Sequence, residues 1–96
     1  MMKKKKSVWT ISWSEKAVRQ LSKLDRSVQK KMLIFLTRIT RLENPETSGK
    51  RLTGNKFGLW RYRMEDYRII CQIKKNELSV LVLRVGHRKD VYDRRL

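Results

Sequence analysis

The chain has 96 residues, 25 of them Lys or Arg against 9 Asp or Glu, a formal charge of +16 at neutral pH. A chain this long buries roughly 60 to 70% of its unfolded surface around one core, which leaves nothing for a second domain. The charge repels itself unless an anion neutralises it, so nucleic acid, anionic lipid or an acidic protein are the partners to consider; the lone cysteine, Cys71, excludes an internal disulfide, and one histidine with scattered carboxylates forms no metal-ligand set.

Met1 and Met2 precede a basic run, Lys3 to Lys6. The residues that follow are not the run of about 7 to 15 apolar residues of an export signal, nor does any stretch approach the roughly 20 of a membrane span. The expectation is a cytoplasmic protein without membrane contact, with residues 1–7 as a flexible basic tail and residues 8–96 as one domain. Val8 to Trp13 alternates, Trp9, Ile11 and Trp13 sharing one face, and reads as a strand with its aromatic face toward the core. Ser14 suits a helix N-cap, and Ala17, Val18, Leu21 and Leu24 follow at helical spacing. Asp25 caps a longer helix whose stripe is Val28, Met32, Phe35 or Leu36, Ile39 and Leu42, ended by Asn44-Pro45 because the residue before proline leaves helical geometry.

Glu46 to Gly58 reads as a loop, with Gly49, Gly54 and Gly58 among the basic residues Lys50, Arg51 and Lys56. Three strands follow: Leu59 to Met64, Tyr67 to Lys74 and Leu78 to Val85, joined by Glu65-Asp66 and Lys75-Asn76-Glu77. Alternation puts Trp60, Tyr62 and Met64 on one face and Arg61 and Arg63 on the other, and two hairpins would bring Arg68 beside them. After Gly86 the chain runs into His87, Arg88 and Tyr92, so polar chemistry collects at one end of the sheet. The predicted fold is α+β in two layers, βααβββ, with a helical hairpin on one face of a mainly antiparallel four-stranded sheet and an arginine face left open. Cys71, in an apolar strand, is expected to be a core residue.

This order, with KRLTG at Lys50 to Gly54, the WRYRMEDYRIICQI hairpin and the closing RVGHRKDVY, resembles the RelE family of bacterial toxins over nearly the whole chain from Val8 onward. The resemblance implies a ribosome-dependent endoribonuclease that cuts messenger RNA in the ribosomal A site, so inhibiting translation and arresting growth, and that is held inactive by a cognate antitoxin. It implies operator DNA as a partner only through the antitoxin complex, and no cofactor. The family's active-site positions fall on Arg61, Arg63, Arg68, Arg88 and Tyr92. Relatives often carry lysines in place of Arg61 and Arg63, some have lysine in place of His87, and the interval from Gly86 to Tyr92 varies.

Metal-free RNA cleavage needs a group to take the 2′ proton, charge to neutralise the crowded phosphate, and a proton for the departing 5′ oxygen. Arg61, Arg63, Arg68 and Arg88 suit the second task, because the guanidinium offers paired donors and stays charged; a pKa above about 12 disqualifies them from the first. His87, with an ordinary pKa of about 6.5, is competent in either direction, and nearby arginines would favour its neutral form. On this reading His87 or ribosomal RNA handles the 2′ proton, Arg68 and Arg88 clamp the phosphate, and Tyr92 orients the substrate or transfers a proton. Lys50, Arg51, Lys56, Lys74, Lys75, Lys89, Arg94 and Arg95 surround the site as candidate nucleic-acid contacts. Two alternatives stay open: the ParE branch of the same superfamily, which poisons DNA gyrase by binding, and a non-catalytic RNA-binding module that blocks translation by occupancy.

Overall fold

The computed structural model describes residues 9–52 and 58–91. The elements run β1 (Thr10–Trp13), α1 (Glu15–Ser22), α2 (Arg26–Thr40), β2 (Lys50–Arg51), β3 (Leu59–Met64), β4 (Tyr67–Lys74), β5 (Ser79–His87) and α3 (Arg88–Val91), with 3-10 turns at Pro45–Ser48 and Lys75–Glu77. Alternation works in β1 as expected: Trp9 is buried, Ile11 and Trp13 pack against the core, and Thr10 and Ser12 are exposed. Ser14 Oγ accepts from the Ala17 backbone N–H at 3.0 Å and donates to the Leu83 carbonyl at 3.1 Å, so one hydroxyl both starts α1 and ties it to β5.

The helical stripes need two corrections. Ala17 is buried and Leu21 and Leu24 pack beside the core, but Val18 stands 51% exposed, because it sits about 100° round the helix from Ala17. In α2, Met32, Leu36 and Ile39 are buried and Val28 and Phe35 partly so, whereas Leu42 lies beyond the helix and is exposed. The helix stops at Thr40, ahead of Asn44, because Arg41 and Leu42 turn their N–H groups to the carbonyls of Arg38 and Ile39 and tighten the last turn. Asn44 instead opens the next turn, its Oδ1 accepting from the Glu46 N–H at 3.1 Å. Asp25 occupies the N-cap position of α2 without a side-chain cap bond.

The sheet has five strands in the order β1-β5-β4-β3-β2, with β1 parallel to β5 and the remaining neighbours antiparallel. The expected four-stranded sheet thus gains β2, cut from the predicted loop, which pairs Lys50 with Arg61 and Arg51 with Trp60. Tyr62 explains its course. The Tyr62 hydroxyl donates to the Pro45 carbonyl at 2.7 Å, and the ring lies so close to Gly49 that a Cβ there would meet it at 2.8 Å. Gly49 therefore lets the loop descend onto the ring and deliver Lys50 to the free edge of β3.

The helices cover one face of the sheet, where Met32, Leu36 and Ile39 meet Tyr62, Ile69, Cys71, Val80, Val82 and Val85. Cys71 belongs to this core as expected, and burial pushes its thiol and the Tyr62 phenol far above their ordinary ranges. β5 departs from simple alternation. Ile70 opposes Arg84 but Cys71 opposes Val82, so Leu83 is an extra residue, a β-bulge. Among the described residues no helix is long and apolar enough to cross a membrane.

Candidate nucleic-acid interface

Register places the basic residues of the outer face in two rows. One runs Lys50, Arg61, Ile70, Arg84 across β2, β3, β4 and β5; the next runs Arg63, Arg68, Gly86 across β3, β4 and β5. Neighbouring strands lie about 4.8 Å apart, so four guanidinium groups and an ammonium start within a few strand spacings of one another. Lys50 and Arg63 are exposed, and Arg61 and Arg84 are half-buried. Beside the rows, Ser48, Gly49, Lys50, Arg61 and Arg63 line a hollow of about 250 Å³.

Arg68 sits differently from the other arginines. It is 5% exposed, and its Nη1 donates to the carbonyls of Glu65 at 3.0 Å and Tyr67 at 2.9 Å, while its buried Nε has no hydrogen-bond partner among the described residues. Its guanidinium is thus turned toward the β3–β4 turn, where Glu65 has a positive φ of 58°. From outside, Lys31 Nζ reaches Glu65 Oε2 at 3.2 Å and ties the turn to α2.

The end of β5 meets the same turn. The Arg88 N–H donates to the Asp66 carbonyl at 2.8 Å, and His87, opposite Tyr67, meets its ring edge-on with centroids 5.7 Å apart. His87 Nδ1 accepts from the Lys89 N–H at 3.3 Å. In the neutral imidazole that bond requires, Nε2 carries the proton and is a donor. Arg88 and Lys89 are exposed at the start of α3.

The outer face thus carries Arg61, Arg63 and Arg68, with Lys50 at its edge. His87 is a correction to the expected single cluster: opposite Tyr67, which is opposite Met64, it belongs to the helix-side face at the end of β5, and Arg88 and Lys89 follow it at the start of α3. Arg51 opposes Trp60 and so belongs to the helix-side face. Lys74 and Lys75 lie at the other end of β4, about 20 Å of strand from Arg68, and Lys75 Nζ pairs with Glu46 Oε2 at 3.3 Å. Tyr92, Lys56, Arg94 and Arg95 lie outside the described residues. Sequence reasoning missed Arg84. Strict alternation along Val80, Val82 and Arg84 gives it to the core face, and the bulge at Leu83 moves it to the outer one. An arginine in phase with two valines was the signal, since a charge aimed into a core calls for a break in register.

The chain matches the family model described as ParE toxin of type II toxin-antitoxin system, parDE, over residues 11–92. No curated protein matches it. Among solved structures, a chain of the toxin–antitoxin complex RelBE2 of Mycobacterium tuberculosis superposes with a TM-score of 0.78 at 29% identity, covering 90% of this chain and 98% of that one. The isolated RelE toxin of Escherichia coli gives 0.66 at 22% over 90% and 92%, and a chain of the RelB–RelE complex of Methanococcus jannaschii 0.69 at 18% over 88% and 99%; these two speak for the fold. By sequence family and by architecture alike, the chain belongs to the ParE toxin family of type II toxin–antitoxin systems, within the RelE/ParE superfamily.

Proposed function

We propose that the chain is the RelE-type member of such a system, a metal-independent, ribosome-dependent endoribonuclease acting on messenger RNA in the A site. The observation that carries this reading is the outer-face group of Arg61, Arg63 and Arg68, next to a β3–β4 turn whose Asp66 carbonyl also holds the Arg88 N–H, one residue past His87. A binding protein does not need that density of phosphate donors beside a strand end that carries a histidine. Exposed Arg63 and Arg88 would meet the scissile phosphate, and Arg61 and Lys50 its neighbour. Arg68, fastened to turn carbonyls, fixes the hairpin end and adds buried positive charge beneath the phosphate. His87 with Nδ1 engaged by Lys89 can hydrogen-bond a phosphate oxygen through Nε2–H, and it supplies a proton to the departing 5′ oxygen only after releasing Lys89 and taking the 2′ proton at Nδ1. Tyr92 completes the set as the group that orients the substrate.

The partner of this toxin is a cognate antitoxin, as in the toxin–antitoxin complexes of M. tuberculosis and M. jannaschii. A segment rich in carboxylates would neutralise the same rows that meet RNA. The test is primer extension on a defined message in a purified translation system, with and without ribosomes. Cuts that need ribosomes and vanish with Arg88→Ala support the reading. The family model named for ParE favours a second one, a gyrase poison. Inhibited supercoiling by gyrase with no messenger cut would establish that instead.

A further inference from the structure

Next to the Lys50–Arg61–Ile70–Arg84 row lies a hollow of about 340 Å³, lined by Ser14, Lys16, Leu59, Ile70, Leu83 and Arg84. Its volume falls within the range of about 300 to 1,000 Å³ usual for small-ligand sites. The floor is apolar and comes from three strands: Leu59 on β3, Ile70 on β4, Leu83 on β5. Two cations from different elements stand at its rim, Arg84 on β5 and exposed Lys16 on α1. The bulge makes this combination. With regular alternation Leu83 and Arg84 would point to opposite faces, and with the extra residue they line one hollow. In register Ile70 stands between Arg61 and Arg84, so the hollow is continuous with the arginine rows.

A bare phosphate has no use for such a floor, and an apolar partner has none for such a rim. A peptide fits poorly as well. β3, β4 and β5 are interior strands whose backbone groups are spent on their neighbours, so a peptide laid over Leu59 and Ile70 finds no partners for its own. A nucleotide matches both parts, a flat apolar base with polar groups only at its edges, joined to a phosphate. We propose that this hollow is a subsite for one flanking nucleotide of single-stranded RNA, its base against Leu83 above the buried Leu59 and Ile70, and its phosphate held by Arg84 and Lys16. The inference rests on the RNA reading above and extends it, past the phosphates met by Arg63, Arg88, Arg61 and Lys50, to a flanking nucleotide on the Arg84 side.

The probe is a 2′-O-methyl hexaribonucleotide, which cannot be cleaved through its 2′ oxygen, compared by fluorescence anisotropy on the full chain with an abasic backbone of equal length and charge. The base-bearing strand should bind roughly three- to tenfold tighter. Leu83→Ser should abolish that preference, and Arg84→Gln should weaken both strands with Arg84→Lys restoring part of the loss. Lys16→Gln, on an exposed helix face, should weaken both strands alike and lower the salt slope by about one. Equal affinities for the two strands overturn the subsite, as does a base preference that survives Leu83→Ser. Binding of an acidic peptide that Leu83→Ser weakens, with no base preference for RNA, gives the hollow to a protein partner and also overturns it. Ribosome-dependent cleavage reports on the underlying reading separately. Cutting with no base preference sinks the subsite alone, and base preference without cutting sinks the nuclease and upholds the subsite.

Discussion

On the inner face of the sheet Tyr62, Ile69, Cys71, Val80 and Val82 are wholly buried under the helices, and the phenol of Tyr62 satisfies its hydroxyl on Pro45. The outer face buries Ile70 nearly as completely, at 2% exposure, yet its cross-strand neighbours are Arg61 and Arg84. Arginine stems are apolar and their heads are not, so the same side chains can cover a floor and present charge. The two faces thus divide the work. Helices seal one with apolar contacts, and the other is roofed by the apolar stems of charged side chains. Inner-face changes should therefore move stability, and outer-face changes activity.

The largest effect tests the inner half of that division. Leu36→Ala should cost about 2–5 kcal/mol in chemical denaturation, with cleavage per folded molecule unchanged. Arg88→Ala should do the reverse, lowering single-turnover cleavage by about 10²–10³-fold with the melting temperature nearly unmoved, since Arg88 is exposed. Gly49→Ala, forced against the Tyr62 ring, should cost about 1–3 kcal/mol and would show whether the two faces communicate through β2, because it also displaces Lys50.

Alkaline pH probes the inner face from within. The folded state keeps the Cys71 thiol protonated beyond its ordinary 9.0, so this stabilisation is complete below about pH 9 and is lost as pH climbs toward the raised value. Cys71→Ala should move the onset of alkaline unfolding, followed by circular dichroism, up to the region where the Tyr62 phenol, ordinarily at 10.0, takes over. The smallest effect is expected at neither face. Leu78 holds a positive φ of 50° at a surface turn, and Leu78→Gly should gain up to about 1 kcal/mol.

Much of this was legible in the residues. The bounds of β3 and β4, the Ser14 cap and the shared outer face of Arg61, Arg63 and Arg68 follow from alternation and turn chemistry, which act over a few residues; the face of His87 does not, because it depends on how β5 registers against β4. What escaped depends on distant partners. Lys50–Arg51 has no strand signature of its own and becomes β2 because Tyr62 draws the loop to an open edge. Arg84 needed the bulge, and the bulge is settled by how β4 and β5 register. Arg68 looked like one more cation on an open face, and only the fold shows its guanidinium spent on turn carbonyls. Val18 fell into the stripe because helical spacing tolerates a neighbour that packing rejects.

The parallel pairing of β1 with β5 has a consequence for the order of assembly. Thr10 lies opposite Ser79, and Ser14 is bonded to Leu83 across 69 residues, so the first strand made waits for the last before it finds its place. Contacts that distant in sequence slow folding, because a long loop must close before they reward it. During that wait the stripes of α1 and α2 have no sheet to cover, and the hollow floored by Leu83 does not exist, since its far wall at Ser14 and Lys16 arrives only when β1 docks. A nascent chain thus lacks this wall of the hollow until its first strand and its last have both been made and paired.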